Sequence, residues 1–550
     1  METPYGDIPE KFVKDMSIQD MHDYLAKRNR FRRRTLLKGA GVLGAAAAAG
    51  PLFWRQSAAS ASTTSAPQWI AYGEDPSREM YVSWSAGTYD GTVPSVPAPQ
   101  VRYGTDTRCG KDEHAFRSGT VQLPAVTGEP SENTVYSSAL LRDLRPATTY
   151  YYSVSNDGKT WSDPVSFTTA DEGLTDFRFT MVGDESTSDT TSLPVAQAIA
   201  ALNPKFNVVV GDLSYAGGGS GYYSNGEIYD AVDFSPGAWD EYLGIVGPAA
   251  AQSIPWSVSV GNHEMEPLDD FGYSGFLTRF PQAYASTRET GSPVVKDLTY
   301  GNVAVIQLDG NDLSAELSDN NGYTDGLQTK WLVDKLKHYR APGSGIDFII
   351  VGFHNCAFSS NTSHGSDGGI RLVWQPIFDK YHVDLVVNGH VHAYERTNPI
   401  IGGEVTKDVA SGGTVNSETE GTTYINAGGG GQDLYTGWYG TTDAGDPANA
   451  SGAPLLWEWT GDNTATGGTG TSEDITDPVT GYSAYRHANW SFIVLDVTAP
   501  RFAGDKTSLL VRAIDPSQTS AGITSISSPA VMDSVTITRR SSAHIRGRGF

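Results

Sequence analysis

The chain is predicted to be an α/β protein in which a layered core follows an N-terminal antiparallel β-sandwich. Three observations lead there. Residues 67–169 alternate apolar and polar side chains in short runs between Gly, Pro and Asp clusters, which is the pattern of half-buried strands. After Ala170 the runs become continuously apolar and are separated by stretches of helical periodicity, as buried strands of an α/β sheet require. Carboxylate, amide and imidazole residues then recur directly behind those apolar runs. A length of 550 residues exceeds what one core usually organises, and 27 Tyr with 12 Trp suit loop-rich β structure.

The first segment reads as an address. Arg33-Arg34-Thr35-Leu36-Leu37-Lys38 forms a twin-arginine pattern, followed by an apolar run to Trp54 and the small-residue site Ala59-Ser60-Ala61. Residues 1–61 are expected to be a Tat signal peptide that engages the Tat export machinery and is cleaved after Ala61. The run is shorter than the roughly 20 apolar residues a bilayer needs, so a mature form with no membrane anchor, secreted or extracytoplasmic, is expected. The thirty-odd residues ahead of the arginines make an unusually long leader. The net charge of −24 excludes non-specific nucleic-acid binding, which depends on Lys and Arg. Only Cys109 and Cys356 occur, in different parts of the chain, so no disulfide framework is expected.

Residues 62–170 form the expected sandwich. The runs Glu79-Met80-Tyr81-Val82-Ser83-Trp84 and Thr148-Thr149-Tyr150-Tyr151-Tyr152-Ser153-Val154 alternate as strands do, and the pattern resembles a fibronectin-III-like domain with Trp84 in its core. It carries no ligand or nucleophile cluster, so its role is spacing or packing. Residues 171–540 form the core, leaving 541–550 as a tail. Strands are expected at 177–182, 206–210, 256–260, 303–308, 348–351 and 383–387, and helices at 328–339 and 371–381. The Gly-, Thr- and Asp-rich stretch 436–480 has no periodicity and reads as a surface excursion.

Asp184, Asp212, Asn262, His354 and His390 each follow one of these strands. The carboxyl edge of an open α/β sheet is where ligands bind, so five strand ends aim at one crevice. The blocks are Gly183-Asp184, Gly211-Asp212-Leu213-Ser214-Tyr215, Gly261-Asn262-His263-Glu264, Gly352-Phe353-His354 and Gly389-His390-Val391-His392-Ala393-Tyr394-Glu395-Arg396. Separately a Gly-Asp is only a turn; together they make a mixed hard and borderline donor set suited to Fe, Mn or Zn. Val391 between two histidines suggests a turn or strand that sends His390 and His392 to different ions.

In order and spacing the blocks resemble the metal-binding motifs of the purple acid phosphatases, within the calcineurin-like metallophosphoesterases. The resemblance implies a layered αββα metallophosphoesterase core and two metal ions, Fe(III) plus Zn, Mn or Fe(II). It implies that Asp184, Tyr215 and His392 bind the ferric ion, that Asp212 bridges, and that Asn262, His354 and His390 hold the divalent ion. The implied reaction is hydrolysis of a phosphate-ester substrate, as an acid phosphatase acting on monoesters, by a hydroxide held at that pair. Tyr215 discriminates, because wider relatives commonly lack a tyrosine there. His263 and His364 are the candidates for binding phosphate or protonating the leaving group.

Several positions depart from the family pattern or lie beside its ligands. Gly183-Asp184-Glu185-Ser186 stands where Gly-Asp-x-Gly is usual, so the extra carboxylate of Glu185 is expected to contact a metal or to shift the site's metal preference. Cys356 replaces a common Pro and reads as either an inert buried thiol or an oxidation liability. Ser363 stands where plant relatives carry a second histidine. Glu264 and Glu395 are expected to orient the histidines. The alternatives are a binuclear phosphodiesterase or nucleotide hydrolase with the same ligands, and a non-catalytic surface-binding protein keeping a degenerate hydrolase domain.

Overall fold

The computed structural model describes residues 67–541 apart from 89–93, 115, 123–132, most of 217–236, 266–272, 318–320, 441–447, 461–471, 503 and 517–530, together with a short ladder at Glu2–Thr3 and Gly6–Asp7. The signal peptide expected at 1–61, that ladder apart, and residues 542–550 of the tail expected at 541–550 lie outside the described residues. No described helix is long and apolar enough to cross a membrane.

Two four-stranded sheets make the N-terminal sandwich. One runs Gln68–Tyr72, Met80–Thr88, Asn133–Leu141, Phe116–Gln122, and the other Val165–Thr168, Thr149–Ser155, Gln100–Gly104, Lys111–His114, antiparallel throughout. Alternation along Met80–Thr88 sends Met80, Val82 and Trp84 inward, where they pack with Val101, Tyr152 and Phe167. Trp84 is buried as expected, and its indole N–H donates to Asn156 Oδ1 at 2.7 Å.

The core contains two seven-stranded mixed sheets. The first is ordered Trp256–Ser259, Asn207–Val210, Phe177–Val182, Phe492–Thr498, Lys506–Ile514, Val531–Arg540, Gly413–Asn416; its first three strands are parallel. The second is ordered Lys296–Tyr300, Val303–Gln307, Phe348–Gly352, Leu385–Asn388, Thr423–Ala427, Tyr394–Thr397, Ser483–His487, with four central parallel strands. Phe179, Met181, Val208 and Val210 of one sheet meet Val305, Ile350, Leu385 and Val387 of the other in a single apolar layer. Helices Ser192–Ala201 and Gly237–Val246 cover the first sheet, and Leu327–Arg340, Gly368–Val373 and Gln375–Tyr381 cover the second. This is the expected αββα layering.

Two expectations change in detail. The helix read over 371–381 is two, because Pro376 sits at the start of the second and lacks the N–H that would continue the first. The stretch 436–480 is not wholly irregular: Leu455–Trp459 pairs with Ser472–Thr476 in a hairpin that adds to Ser366–Asp367. Its short aromatic-rich run was masked by the Gly and Thr around it.

Candidate functional site

The parallel strands of both sheets end at one edge, and their loops bend sharply there. Asp184, Asp212, Tyr215 and His390 have φ of 58°, 53°, 53° and 71°, in the left-handed region that non-glycine residues seldom occupy. Gly211 precedes Asp212 at φ 91°, and a β-carbon on it would lie 2.6 Å from Gly261 N and 2.8 Å from His354 Nδ1. Only glycine lets the second and third blocks stack this closely.

These turns bring the predicted residues together. Tyr215 Oη lies 3.2 Å from Asp184 Oδ1 and 3.0 Å from His392 Nε2. Asp212 Oδ2 lies 2.9 Å from His354 Nε2, and His390 Nδ1 stands 3.3 Å from that same nitrogen. His392 Nε2 is 3.5 Å from Asp184 Oδ1. Asn262 is buried in the turn beside them, with the neighbouring His263 N–H donating to Asp212 Oδ1 at 3.0 Å. One bend at Val391 thus delivers His390 to the Asp212–His354 side and His392 to the Tyr215–Asp184 side, the division the sequence suggested.

Surrounding groups set ring orientation. His354 Nδ1 lies 3.0 Å from Val210 O and His392 Nδ1 2.7 Å from Asp433 O, so each donates there and turns Nε2 toward the crevice. Tyr435 stacks on His392 at 4.1 Å. His263 and His364 flank the mouth, 18% and 26% exposed, the first ring 4.2 Å from Tyr215 and the second 4.0 Å from His390.

The charges are unbalanced in a way that bears on a metal. Among the described residues the ion-pair partners of Asp184 and Asp212 are histidines, with no Lys or Arg. Burial pushes the Asp184 carboxyl well above its usual value, while His354 and His263 outweigh burial at Asp212 and hold it well below. Burial lowers His354, but Asp212 and Asp184 carry it up to about 9; burial takes His390 down to about 4 and His392 to about 3. Burial also raises the Tyr215 phenol, and the carboxylates add to it. Two buried carboxyl groups, three imidazoles and a phenol facing one another are a donor set that a cation would satisfy.

Three expectations need correction. Glu185 does not face this crevice: it turns outward, where Tyr242 Oη donates to it at 2.6 Å, and burial raises it to about 7. The left-handed backbone at Asp184, φ 58°, turns that carboxyl into the crevice, and Glu185 packs instead against Tyr242 and Trp256. Glu264 and Glu395 accept from loop groups rather than from imidazoles. Glu264 accepts from the N–H groups of Asp212, Leu213 and Gly261 at 2.8, 2.9 and 2.6 Å, and Glu395 accepts from Ser360 N and Oγ at 2.9 and 2.6 Å. Cys356 is the inert case: it is buried, with Sγ donating to Gly389 O at 2.9 Å. Ser363 is exposed and offers no imidazole substitute.

Glu316 was missed. Its Oε1 lies 2.6 Å from His364 Nδ1 and its Oε2 3.3 Å from His390 Nε2. It follows the strand Val303–Gln307, whose carboxyl end opens on the same edge, and three carboxylates behind that strand were the available signal.

Sequence and structure comparisons identify the relatives of the chain. Residues 68–169 match the purple acid phosphatase N-terminal domain, and residues 181–394 the calcineurin-like phosphoesterase domain. An uncharacterised protein of Mycobacterium tuberculosis is 32% identical over 445 residues, covering 73% of this chain and 78% of its own. The chain belongs to the purple acid phosphatase family. Within that family, the Fe(3+)-Zn(2+) purple acid phosphatase 12 of Arabidopsis thaliana is 28% identical over 269 residues, 48% of this chain and 52% of its own. A purple acid phosphatase from yellow lupin seeds shares the fold at a TM-score of 0.56 and 20% identity, covering 86% of this chain and 74% of the lupin one. As a purple acid phosphatase relative, the chain is a metal-dependent phosphoesterase.

Proposed function

We propose that this chain is an acid phosphatase that hydrolyses phosphate monoesters with an Fe(III)–M(II) pair, M being Zn, Mn or Fe(II). The observation that carries the reading is Tyr215, whose hydroxyl lies 3.2 Å from Asp184 Oδ1 and 3.0 Å from His392 Nε2. A phenol buried beside a carboxylate resists ionisation, and a strongly charged cation is what reverses that. Asp184, Tyr215 and His392 would hold the ferric ion; Asn262, His354 and His390 would hold the divalent one, with Asp212 shared. When bound, such a pair supplies a deprotonated water nucleophile at low pH and neutralises phosphoryl charge. The Arabidopsis relative, named for Fe(3+) and Zn(2+), supports iron with zinc.

The protein's own residues do the rest. Val210 O and Asp433 O fix the tautomers of His354 and His392, so that Nε2 of each presents a lone pair. Glu264 clamps the Asp212 turn against Gly261, which keeps the crevice preorganised. His263 and His364 stand at the open side, where imidazolium N–H groups can bind a phosphate dianion or protonate the departing alkoxide. Two donors poised for a dianion favour a monoester over a diester. The twin-arginine pattern extends the reading to export through the Tat machinery, and Lys in place of Arg33 and Arg34 is expected to stop secretion.

The test compares turnover of a nitrophenyl monoester with its bis-ester by purified protein, together with elemental analysis. Two metals per chain, iron among them, with preference for the monoester support the proposal; preference for the diester, or fewer than two metals in active protein, overturns it.

A further inference from the structure

The 309–317 loop places one carboxylate between two histidines of different duty. We propose that Glu316 is a positioning residue that ties the divalent-metal ligand His390 to the substrate-side histidine His364; the inference rests on the function proposed above.

The geometry is specific at each nitrogen. His390 Nδ1 faces His354 Nε2 at 3.3 Å and so points into the metal crevice. Its opposite nitrogen, Nε2, is buried, makes no hydrogen bond among the described residues, and has Glu316 Oε2 at 3.3 Å, within ion-pair reach. The second Glu316 oxygen takes the Nδ1–H of His364 at 2.6 Å. An ionised carboxylate can only accept, so it places a proton on His364 Nδ1, and its second oxygen at 3.3 Å favours the Nε2–H form of His390. That leaves His390 Nδ1 as the lone-pair donor to a metal and His364 Nε2 as the nitrogen available to substrate. The two rings, 4.0 Å apart, are held by one anion.

The carboxylate is itself held firmly. Asp367 accepts from Ser314 Oγ at 2.6 Å and from Ala315 N at 3.0 Å, and Asn355 Nδ2 donates to Ser314 Oγ at 3.1 Å. Asp309 caps the preceding turn by accepting from Asn311 N at 3.0 Å. The Glu316 side chain is only 9% exposed, so solvent competes little for it. Carboxylates that hold the far nitrogen of a metal-binding histidine orient the ring and raise its basicity.

Glu316→Gln tests this, because the carboxamide keeps the shape but cannot accept at both oxygens' positions. Zn(II) affinity of the apo protein, by chelator competition, is expected to fall about 10–100-fold at the weaker site, with the melting transition retained. His364→Ala is expected to cut kcat for a nitrophenyl monoester on the wild-type background and to add little on Glu316→Gln, as residues acting through one network do. Zn(II) affinity within about twofold of wild type, with His364→Ala equally costly on both backgrounds, overturns the inference. Loss of one equivalent of Zn(II) from a wild type holding three also overturns it, making Glu316 a ligand of a further ion. Wild-type protein that binds fewer than two equivalents sinks the function proposed above and takes this inference with it; two equivalents in wild type with an indifferent Glu316→Gln sinks this inference alone.

Discussion

The seam between sandwich and core and the crevice edge of the core both bury polar groups, yet they hold them by different means. At the seam, Trp69 Nε1 donates to Arg279 O at 3.1 Å, Tyr152 Oη to Gln252 O at 2.8 Å, and Arg279 lies 4.8 Å over Trp239 and 5.3 Å over Tyr136. None of these residues has a left-handed φ, and aromatic packing surrounds each bond. At the edge, four ligand candidates sit at positive φ, each costing on the order of 1 kcal/mol or more, and carboxylates rather than rings hold the backbone. The seam is where stability is stored; the edge is where it is given up to bring unlike donors together. Damage to the two is therefore expected to separate into loss of stability and loss of chemistry.

The largest effect is expected at the edge. Asp212→Ala should lose both metals and cut monoester turnover by more than the roughly 10²–10³-fold that follows removal of one transition-state donor. Steady-state rates with elemental analysis check this, and a variant that keeps full activity breaks the comparison. At the seam, Trp69→Ala should cost about 3–5 kcal/mol in denaturant unfolding while leaving kcat and KM of the folded enzyme unchanged.

A third place sharpens the contrast, since it is ionic but lies at the opposite end of the strands. Asp384 accepts from Ile349 N at 2.7 Å and pairs with Arg340 and with Arg539 at 3.0 Å. Burial alone would raise its carboxyl, but the two guanidinium groups bring it below the ordinary value. A folded-state value below the unfolded one of about 3.9 stabilises the protein above that pH, and the gain fades as pH falls through the folded value. Asp384→Asn should therefore cost roughly 3 kcal/mol at neutral pH, with the gap to wild type closing only in acid below about pH 4. Thermal melts across pH check it. The smallest stability effect belongs to Glu264→Gln, which leaves amide donors of the Asp212 turn poorly paired: about 1–3 kcal/mol, accompanied by a fall in turnover that Trp69→Ala lacks.

The layered core was legible because its strands are largely apolar runs, and the ligand candidates because five of the seven follow such a run, four of them directly behind glycine. What stayed hidden had no such marker. Phe492–Thr498 joins the first sheet from the far end of the chain by a non-local pairing to Phe177–Val182, and Lys506–Ile514 and Val531–Arg540 extend the sheet from it. Glu185 looked like a ligand because adjacency in sequence says nothing of the direction a side chain takes. Glu316 carries no motif at all; its role comes from Asp367 and Asn355 fixing a loop that only the fold brings alongside His364.

The visible absorption of purified protein, wild type against Tyr215→Phe, tests the central claim most directly. A coloured wild type whose band vanishes in a folded Tyr215→Phe protein is the expected result, from a tyrosinate bound to Fe(III). A band that survives the substitution, or a colourless wild type with full phosphatase activity, contradicts the account.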